Sequence, residues 1–280
     1  MATLAVLGAG LLGSAFIERM LEDGHTVRAW NRTASKLDPL VARGAIACGS
    51  PAEAAAGADR VHLILSADDA VDAALAGLTG LAVPLIDHST NLPARVAERA
   101  AAWPGYVHAP VFMSPANARA ATGAILISGD PARVEPLLAA LAPMTGRVWR
   151  AGPRPEAGAV LKLVGNALRI GLVGLLGDVF ALTRGNGVAD DDVLAMFTAI
   201  EAMGTLDYTS RRVALGGFPQ VSFNLDMARK DVGLMVASAP DPAALVVLPE
   251  LAAAMDEALA AGLGARDYAI YATHRHPARP

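Results

Sequence analysis

Cysteine occurs once in the chain, at Cys48, so no internal disulfide can form and the fold is expected to hold without covalent cross-links. The six histidines are scattered and neither HxxxH nor CxxC spacing occurs, so no metal site is expected. Long uncharged apolar runs are missing as well. The most hydrophobic stretch, Leu161 to Leu182, is interrupted by Lys162, Arg169 and Asp178, short of the roughly 18 uncharged residues of a membrane span. Basic residues form no block, and a pI near 5.9 argues against nucleic acid as a partner. The first cationic side chain is Arg19, so the apolar start lacks the basic flank of a secretory signal, and a cytoplasmic protein without a membrane partner is expected.

What is present is apolar and sizeable: 280 residues, 54% hydrophobic and 18% charged, with a net charge of -4. That composition lies far from the disordered class, and the length suggests two domains. From Thr3 to about Arg150, short apolar runs alternate with Ala/Leu-rich amphipathic segments, the pattern of βαβ units around a parallel sheet. Strands are predicted at Leu4 to Leu7, Thr26 to Trp30, Ala45 to Ala47, Val61 to Leu65, Leu85 to Ile86 and Tyr106 to His108. Two more, Ala124 to Ser128 and Arg147 to Trp149, flank a helix that starts after Asp130-Pro131, with Asp as N-cap and Pro in the first turn.

The Ala151-Gly152-Pro153-Arg154-Pro155 stretch cannot continue a helix or a central strand and marks a domain junction. The expected architecture is a Rossmann-type doubly wound α/β domain over residues 1–153, then an all-α domain over residues 154–280. A long helix from Glu156 to Arg184, closed by Gly185-Asn186-Gly187, joins the two. Its glycines Gly171, Gly174 and Gly177 offer one face for close approach of another helix, and a helix of this length is hard to cover within one small domain, so self-association is expected. Further helices are predicted at Asp190 to Ile200, Thr205 to Leu215, Phe223 to Ala239 and Leu245 to Thr273, with turns at Gly216-Gly217 and Pro240-Asp241-Pro242; the tail from His274 to Pro280 is expected to be mobile.

The segment Gly8-Ala9-Gly10-Leu11-Leu12-Gly13 places GxGxxG between the first strand and the first helix. In that context Gly8 permits the tight turn, Gly10 lets a pyrophosphate approach the backbone, Gly13 allows close packing, and the N-H groups of the helix face the anion. The second strand ends at Trp30-Asn31-Arg32-Thr33, where an NAD site normally carries a carboxylate for the ribose 2'-hydroxyl. Here Asn31 can bond the ribose region, Arg32 offers a guanidinium to a 2'-phosphate and Thr33 a hydroxyl, which favours NADP(H). Leu65-Ser66 and the Asp87-His88-Ser89-Thr90 turn follow predicted parallel strands, at the sheet edge where ligands collect.

The chain has only three lysines, Lys36, Lys162 and Lys230, against twenty arginines. Arginine stays protonated in proteins, whereas a lysine can exchange its proton, so a retained lysine invites a chemical role. Lys162 shares one helical stripe with Gly158 and Asn166, each four residues away; Gly158 leaves room for a ligand and Asn166 can orient an amine or a substrate oxygen. By spacing alone an interhelical ion pair or a snorkelling end explains such a lysine equally well.

The glycine turn, Asn31-Arg32-Thr33, Asp87-x-Ser89-Thr90, the Gly158-x-x-x-Lys162-x-x-x-Asn166 stripe, Lys230-Asp231 and Gly262-x-Gly264-x-x-Asp267 occur together and in order. Over nearly its full length the chain thereby resembles the β-hydroxyacid dehydrogenases related to 3-hydroxyisobutyrate dehydrogenase, with a C-terminal domain like that of 6-phosphogluconate dehydrogenase. The resemblance implies reversible hydride transfer between NADP(H) and a small hydroxyacid or its carbonyl counterpart. It implies Lys162 as the acid/base, Asn166 as its partner at the substrate, and Lys230 near the cofactor. A homodimer or homotetramer follows from the same likeness.

The sequence departs from the family where the usual Asp-Ala-Pro-Val-Ser-Gly-Gly loop stands. Here it is His108-Ala109-Pro110-Val111-Phe112-Met113-Ser114, so Phe112, Met113 and Ser114, with Ser89, become the candidate substrate contacts, suited to an aldehyde, ketone or hydrophobic substrate. Arg119, Arg169, Arg211 and Arg212 are all conceivable carboxylate ligands, and none is compelled. The loop is similar to that of imine reductases, in which Asp or Tyr usually replaces the lysine. NADPH-dependent imine reduction and a non-catalytic NADP-sensing module are therefore the alternatives.

Overall fold

A computed structural model describes residues 1–78, 80–200, 209, 213, 221, 223–239 and 241–274. By backbone contacts the chain divides into two compact units, Met1–Ala167 and Leu168–Pro280. The first turns of the helix after the Ala151-to-Pro155 turn thus belong to the N-terminal unit.

That unit runs β1 (Thr3–Leu7), α1 (Leu11–Glu22), β2 (Thr26–Trp30), α2 (Asp38–Val41), β3 (Ile46–Ala47), α3 (Pro51–Ala55), β4 (Arg60–Leu63), α4 (Asp68–Ala76), β5 (Leu85–Asp87), α5 (Pro93–Ala102) and β6 (Tyr106–His108). It continues through β7 (Val111–Phe112), α6 (Pro115–Arg119), β8 (Ala124–Ile127), α7 (Pro131–Leu141) and β9 (Arg147–Arg150) into α8 (Ala157–Gly185). Six parallel strands pair in the order β3-β2-β1-β4-β5-β6, with β1 between β2 and β4. Strand order reverses at β1, and the crevice beyond the carboxyl ends of β1 and β4 is where such sheets take ligands. The alternation of β1 divides its side chains between two cores: Leu4 and Val6 pack with Phe16, Ile17 and Met20, while Ala5 and Leu7 pack with Val61, Leu63 and Leu75. This is the doubly wound sheet read from the sequence.

Strands β8 and β9 do not extend it. They form a separate three-stranded sheet, with β7 antiparallel and β9 parallel to β8. The cause is local: Pro110 has no N-H for a ladder, so the chain leaves the parallel sheet after β6, and the Pro110 carbonyl accepts instead from Leu126 N-H at 2.8 Å. The two-residue strand β7 is too short to give a periodic signal. The start of α7 is as expected, with Asp130 accepting from Ala132 N-H at 2.9 Å and Pro131 in the first turn.

The second unit is helical: the C-terminal part of α8, then α9 (Asp190–Ala199), α10 (Leu225–Ser238), α11 (Leu248–Ala260) and α12 (Ile270–Thr273). The continuous helix expected from Leu245 to Thr273 is broken into two. The carboxylate of Asp178 accepts the N-H groups of Val246, Val247 and Leu248 at 2.6, 2.7 and 2.8 Å, which fixes the start of α11. Gly262, at φ +77, ends it in a conformation that suits glycine. A Cβ on Gly264 would lie 2.4 Å from a carboxylate oxygen of Asp226, so these two glycines are explained by packing and turn geometry. All but residues 209 and 213 of the helix expected at Thr205 to Leu215, the Gly216-Gly217 turn and residues 275–280 of the tail lie outside the described residues, as does Pro240 of the Pro240-Asp241-Pro242 turn.

By length and composition α8 is, among the described residues, the one helix long and apolar enough to cross a membrane. Of the charged residues that interrupt it, Asp178 is buried and bonded as above, while Lys162 lies at the sheet crevice. Val160, Val164, Leu168, Ile170 and Val173 are exposed along it, and Gly171 faces open space.

Candidate active site

The glycine turn is built by exclusion. Gly8 sits at φ +112, and a Cβ there would lie 2.2 Å from the Ile64 carbonyl oxygen; a Cβ on Gly13 would lie 2.0 Å from the Gly8 oxygen. Gly10, the N-cap of α1, faces open space and places no side chain over the helix N-terminus. These positions fit a nicotinamide dinucleotide: two glycines bring strand and helix together, and the third leaves the backbone open to a pyrophosphate.

Asn31 holds this turn from the wall of the adjoining cavity. Its Oδ1 accepts from Ala9 N-H at 3.0 Å and its Nδ2 donates to the Thr33 carbonyl at 2.8 Å. One cavity is lined by Gly8, Gly10, Trp30, Asn31, Arg32 and Thr33 together with Lys36, Leu65 and Ser66. Lys36 was not singled out for this site. Its signal was its place one short helical turn beyond Thr33, in the 3-10 segment Ala34–Leu37, which returns it toward the end of β2.

A second cavity adjoins it through Gly10, Ile64, Leu65 and Ser66. It is lined further by Leu11, Leu12, Gly13, His88, Ser89, Thr90, Val111, Met113 and Lys162. Lys162 therefore faces the crevice beside the glycine turn. Its Nζ lies 4.2 Å from the centre of the Phe112 ring. Asn166 follows one turn later on α8, half-buried.

Other predicted contacts have framework roles. Ser89 Oγ accepts from Leu65 N-H at 2.9 Å and so ties the ends of β4 and β5 together. Ser114 caps α6, with its Oγ accepting from Asn117 N-H at 3.1 Å and its own N-H donating to Asn117 Oδ1 at 3.0 Å. Gly158 leaves no room for a ligand: a Cβ there would meet Ser128 Oγ at 2.9 Å, and its N-H donates to that oxygen. Arg119 is exposed and paired with Glu18. Arg211 and Arg212 lie outside the described residues. Lys230 lies on α10 of the second unit, its side chain 54% exposed and 3.1 Å from Asp231.

Beneath the crevice lies a polar core that the sequence did not reveal. Buried Asp87 accepts from Ser89 N-H, Asn91 Nδ2 and Tyr106 OH at 2.9, 2.7 and 2.7 Å, and burial, then the Asp87 carboxylate, push the Tyr106 phenol up. Beside it, His88 Nδ1 lies 2.7 Å from the Ala109 carbonyl and Arg60 Nε lies 3.1 Å from His62 Nε2. A carbonyl only accepts and a guanidinium only donates, so both rings are neutral and His62 Nδ1-H donates to His88 Nε2 at 2.9 Å.

Burial, then His88 and Arg60, hold His62 well below the usual imidazole range; burial pushes His88 down to about 4 against the opposing pull of the Ala109 carbonyl and Asp87. Burial also lowers His108. Below about pH 6.5 the unfolded chain takes up protons that the folded chain refuses, so stability falls as pH drops from there toward 4. Each such group removes up to about 1.4 kcal/mol per pH unit. Urea unfolding at pH 7.5 and 5.0 is expected to show a markedly lower midpoint at pH 5.0, and equal midpoints would contradict the neutral histidine chain.

The parallel sheet, its glycine turn and the adjoining crevice define a dinucleotide-binding oxidoreductase domain. Residues 3–152 match the family described as the NAD binding domain of 6-phosphogluconate dehydrogenase. The chain belongs to that family, in its β-hydroxyacid dehydrogenase-like branch, and is an NAD(P)-dependent oxidoreductase. It is 29% identical to the 3-sulfolactaldehyde reductase of Escherichia coli, covering 96% of this chain and 94% of that protein. It is 27% identical to the L-threonate dehydrogenase of Cupriavidus necator, over 84% and 83% of the two chains. The fold is shared with an imine reductase from Myxococcus stipitatus solved with NADP+, at a TM-score of 0.85 and 24% identity over 96% of this chain and 98% of that one.

Proposed function

We propose that this protein is an NADP(H)-dependent reductase and dehydrogenase for a small hydroxyacid or its aldehyde or ketone counterpart, with Lys162 as the acid/base and Asn166 beside it at the substrate. The observation that carries the reading is that Lys162 lines the same crevice as the glycine turn. The bound coenzyme supplies hydride exchange at C4 of its nicotinamide. The work of this chain is proton transfer: in reduction the Lys162 ammonium gives a proton to the oxygen of the developing alkoxide, and in oxidation the neutral amine takes the proton of the hydroxyl. Relatives named for an aldehyde and for a hydroxyacid support this substrate class. Met113 and Val111 give the crevice an apolar wall beside the amine.

Gly8, Gly10, Leu11, Leu12 and Gly13 are assigned to the pyrophosphate and Leu65, Ser66 and Thr90 to the sugar and nicotinamide end. The pairing of Arg32 with Lys36 in one cavity, and the lack of a carboxylate after β2, support NADP(H) over NAD(H). The double substitution Arg32→Ala/Lys36→Ala is expected to raise KM for NADPH about 100-fold, the worth of two charge-assisted contacts, while KM for NADH changes little. Equal losses with both coenzymes would contradict the assignment. A screen of aldehydes, ketones, hydroxyacids and cyclic imines with NADPH tests the reaction class; turnover of imines alone would favour the imine reductase alternative, and no turnover at all the sensing module.

A second copy of the chain is the proposed cover for the exposed apolar side chains of α8. Sedimentation at micromolar concentration is expected to give a dimer or tetramer, and a 28.7 kDa monomer would contradict this. The single buried, unpaired Cys48 suits a reducing compartment, the cytoplasm.

A further inference from the structure

The position of Phe112 is overdetermined. Its strand β7 pairs with β8 opposite Ala124, and its backbone is held from behind by Gly123: at φ +83 that residue favours glycine, and a Cβ on it would lie 2.7 Å from the Phe112 carbonyl oxygen. At the other end of the side chain, a Cβ on Gly165 would lie 2.3 Å from the ring Cζ and 2.9 Å from Cε1. The tip of the ring is therefore seated on bare backbone of α8, in a gap that only glycine leaves. Lys162 stands three residues before Gly165, on the same side of the helix, and places its Nζ 4.2 Å from the ring centre. Among the residues lining the crevice are Val111, Met113 and Lys162, and Phe112 is not one of them.

We propose that Phe112 is the positioning residue for Lys162: its ring, locked into the Gly165 gap, holds the ammonium over its face and so aims it at the crevice. The π-face attracts the cation, so the contact fixes where the ammonium stands before it gives up its proton. The gap at Gly165 gives the ring its place, and the ring in turn spares the long lysine side chain the entropy of finding its geometry at each turnover. The inference rests on the reading of Lys162 as the proton donor.

The scarcity of lysine makes a direct test possible. Protein labelled with 13C at lysine Cε gives signals from three lysines, and the signal lost in Lys162→Ala identifies the one in question. In the wild type its methylene protons are expected upfield of those of Lys36 and Lys230 through the ring current of Phe112. In Phe112→Leu the signal should move to join the other two. Gly165→Ala keeps the ring but pushes it from its seat, and the same movement is expected there.

With the best carbonyl from the NADPH screen, reductive kcat should fall about 2- to 30-fold in either variant as the amine loses its fixed place, with KM for NADPH unchanged. The double variant should be no worse than the single ones. A wild-type Lys162 signal without upfield displacement, or a Phe112→Leu variant with signal and kcat unaltered, would overturn the positioning role. If Lys162→Ala itself keeps its turnover, the failure lies in the acid assignment instead. Should Phe112→Leu not fold, the wild-type spectrum and Gly165→Ala still decide.

Discussion

Turnover of Lys162→Ala is expected to fall about 100- to 10,000-fold, the usual contribution of a positioned acid/base, while the affinity for NADPH stays near that of the wild type. The reason for the split is spatial. Arg32, Thr33 and Lys36 line one cavity and Lys162 lines the next, the two sharing Gly10, Ile64, Leu65 and Ser66. Truncating the amine removes the proton donor and leaves untouched the glycine turn, the uncapped N-terminus of α1 and the cations at the end of β2. Titration of NADPH fluorescence separates the two quantities. Lys162→Arg is the sharper variant: it keeps the charge and the stem but cannot release its proton, so it should be as slow as alanine in the oxidation of an alcohol. Turnover within a few-fold of the wild type for the alanine variant would contradict the assignment.

The largest effect on stability is expected at Asp178. Its side chain is buried, yet its carboxyl is held below the usual range: burial alone would raise it, and the N-H groups of Val246, Leu248 and Val247 outweigh that by bonding the charged form. Removing the carboxylate in Asp178→Ala strands three backbone donors at the head of α11, at about 1–3 kcal/mol for each one left unpaired. A loss of about 3–5 kcal/mol is expected in urea unfolding, since water entering the vacated space offsets part of the cost. Asp178→Asn, which keeps one acceptor oxygen, should lose less. Because the folded carboxyl is the stronger acid, this contribution is present above the unfolded value near 3.8 and disappears only as pH falls below it, a range distinct from that of the histidines. A loss under 1 kcal/mol in the alanine variant would contradict the capping role.

The parallel sheet and the glycine turn were legible in the sequence because both rest on local chemistry. The strand–GxGxxG–helix run needs glycine where a Cβ would strike Ile64 or Gly8, and the apolar strands alternate with amphipathic segments of helical period. Lys162 stood out by its rarity, and the structure places it in the crevice beside the glycine turn; its role there belongs to the proposal. Where the structure differs from the reading, the deciding group is one that the pattern of the segment itself does not mark. Gly158 is glycine because of Ser128. Asn31 lines the cavity as expected, and its amide has the further task of closing the turn through Ala9. Ser114 has a role that the reading did not give it, as the cap of α6 through Asn117. The separate β7-β8-β9 sheet follows from the missing N-H of Pro110; the start of the last long helix is fixed by a carboxylate about seventy residues upstream, and its break comes at Gly262. The neutral histidine chain gave no signal at all, because nothing in the local sequence marks His62 and His88 as neighbours across two strands.

The central claim is that the Lys162 amine exchanges its proton with the substrate oxygen. The most direct measurement is a crystal structure of the wild-type protein with NADP+ and an unreactive analogue of the best carbonyl substrate. The account predicts the Lys162 nitrogen within hydrogen-bond reach, about 2.6–3.2 Å, of the carbonyl oxygen, with the carbonyl carbon facing the nicotinamide. A substrate oxygen bonded by another side chain, with the Lys162 nitrogen turned away from it, would contradict the account.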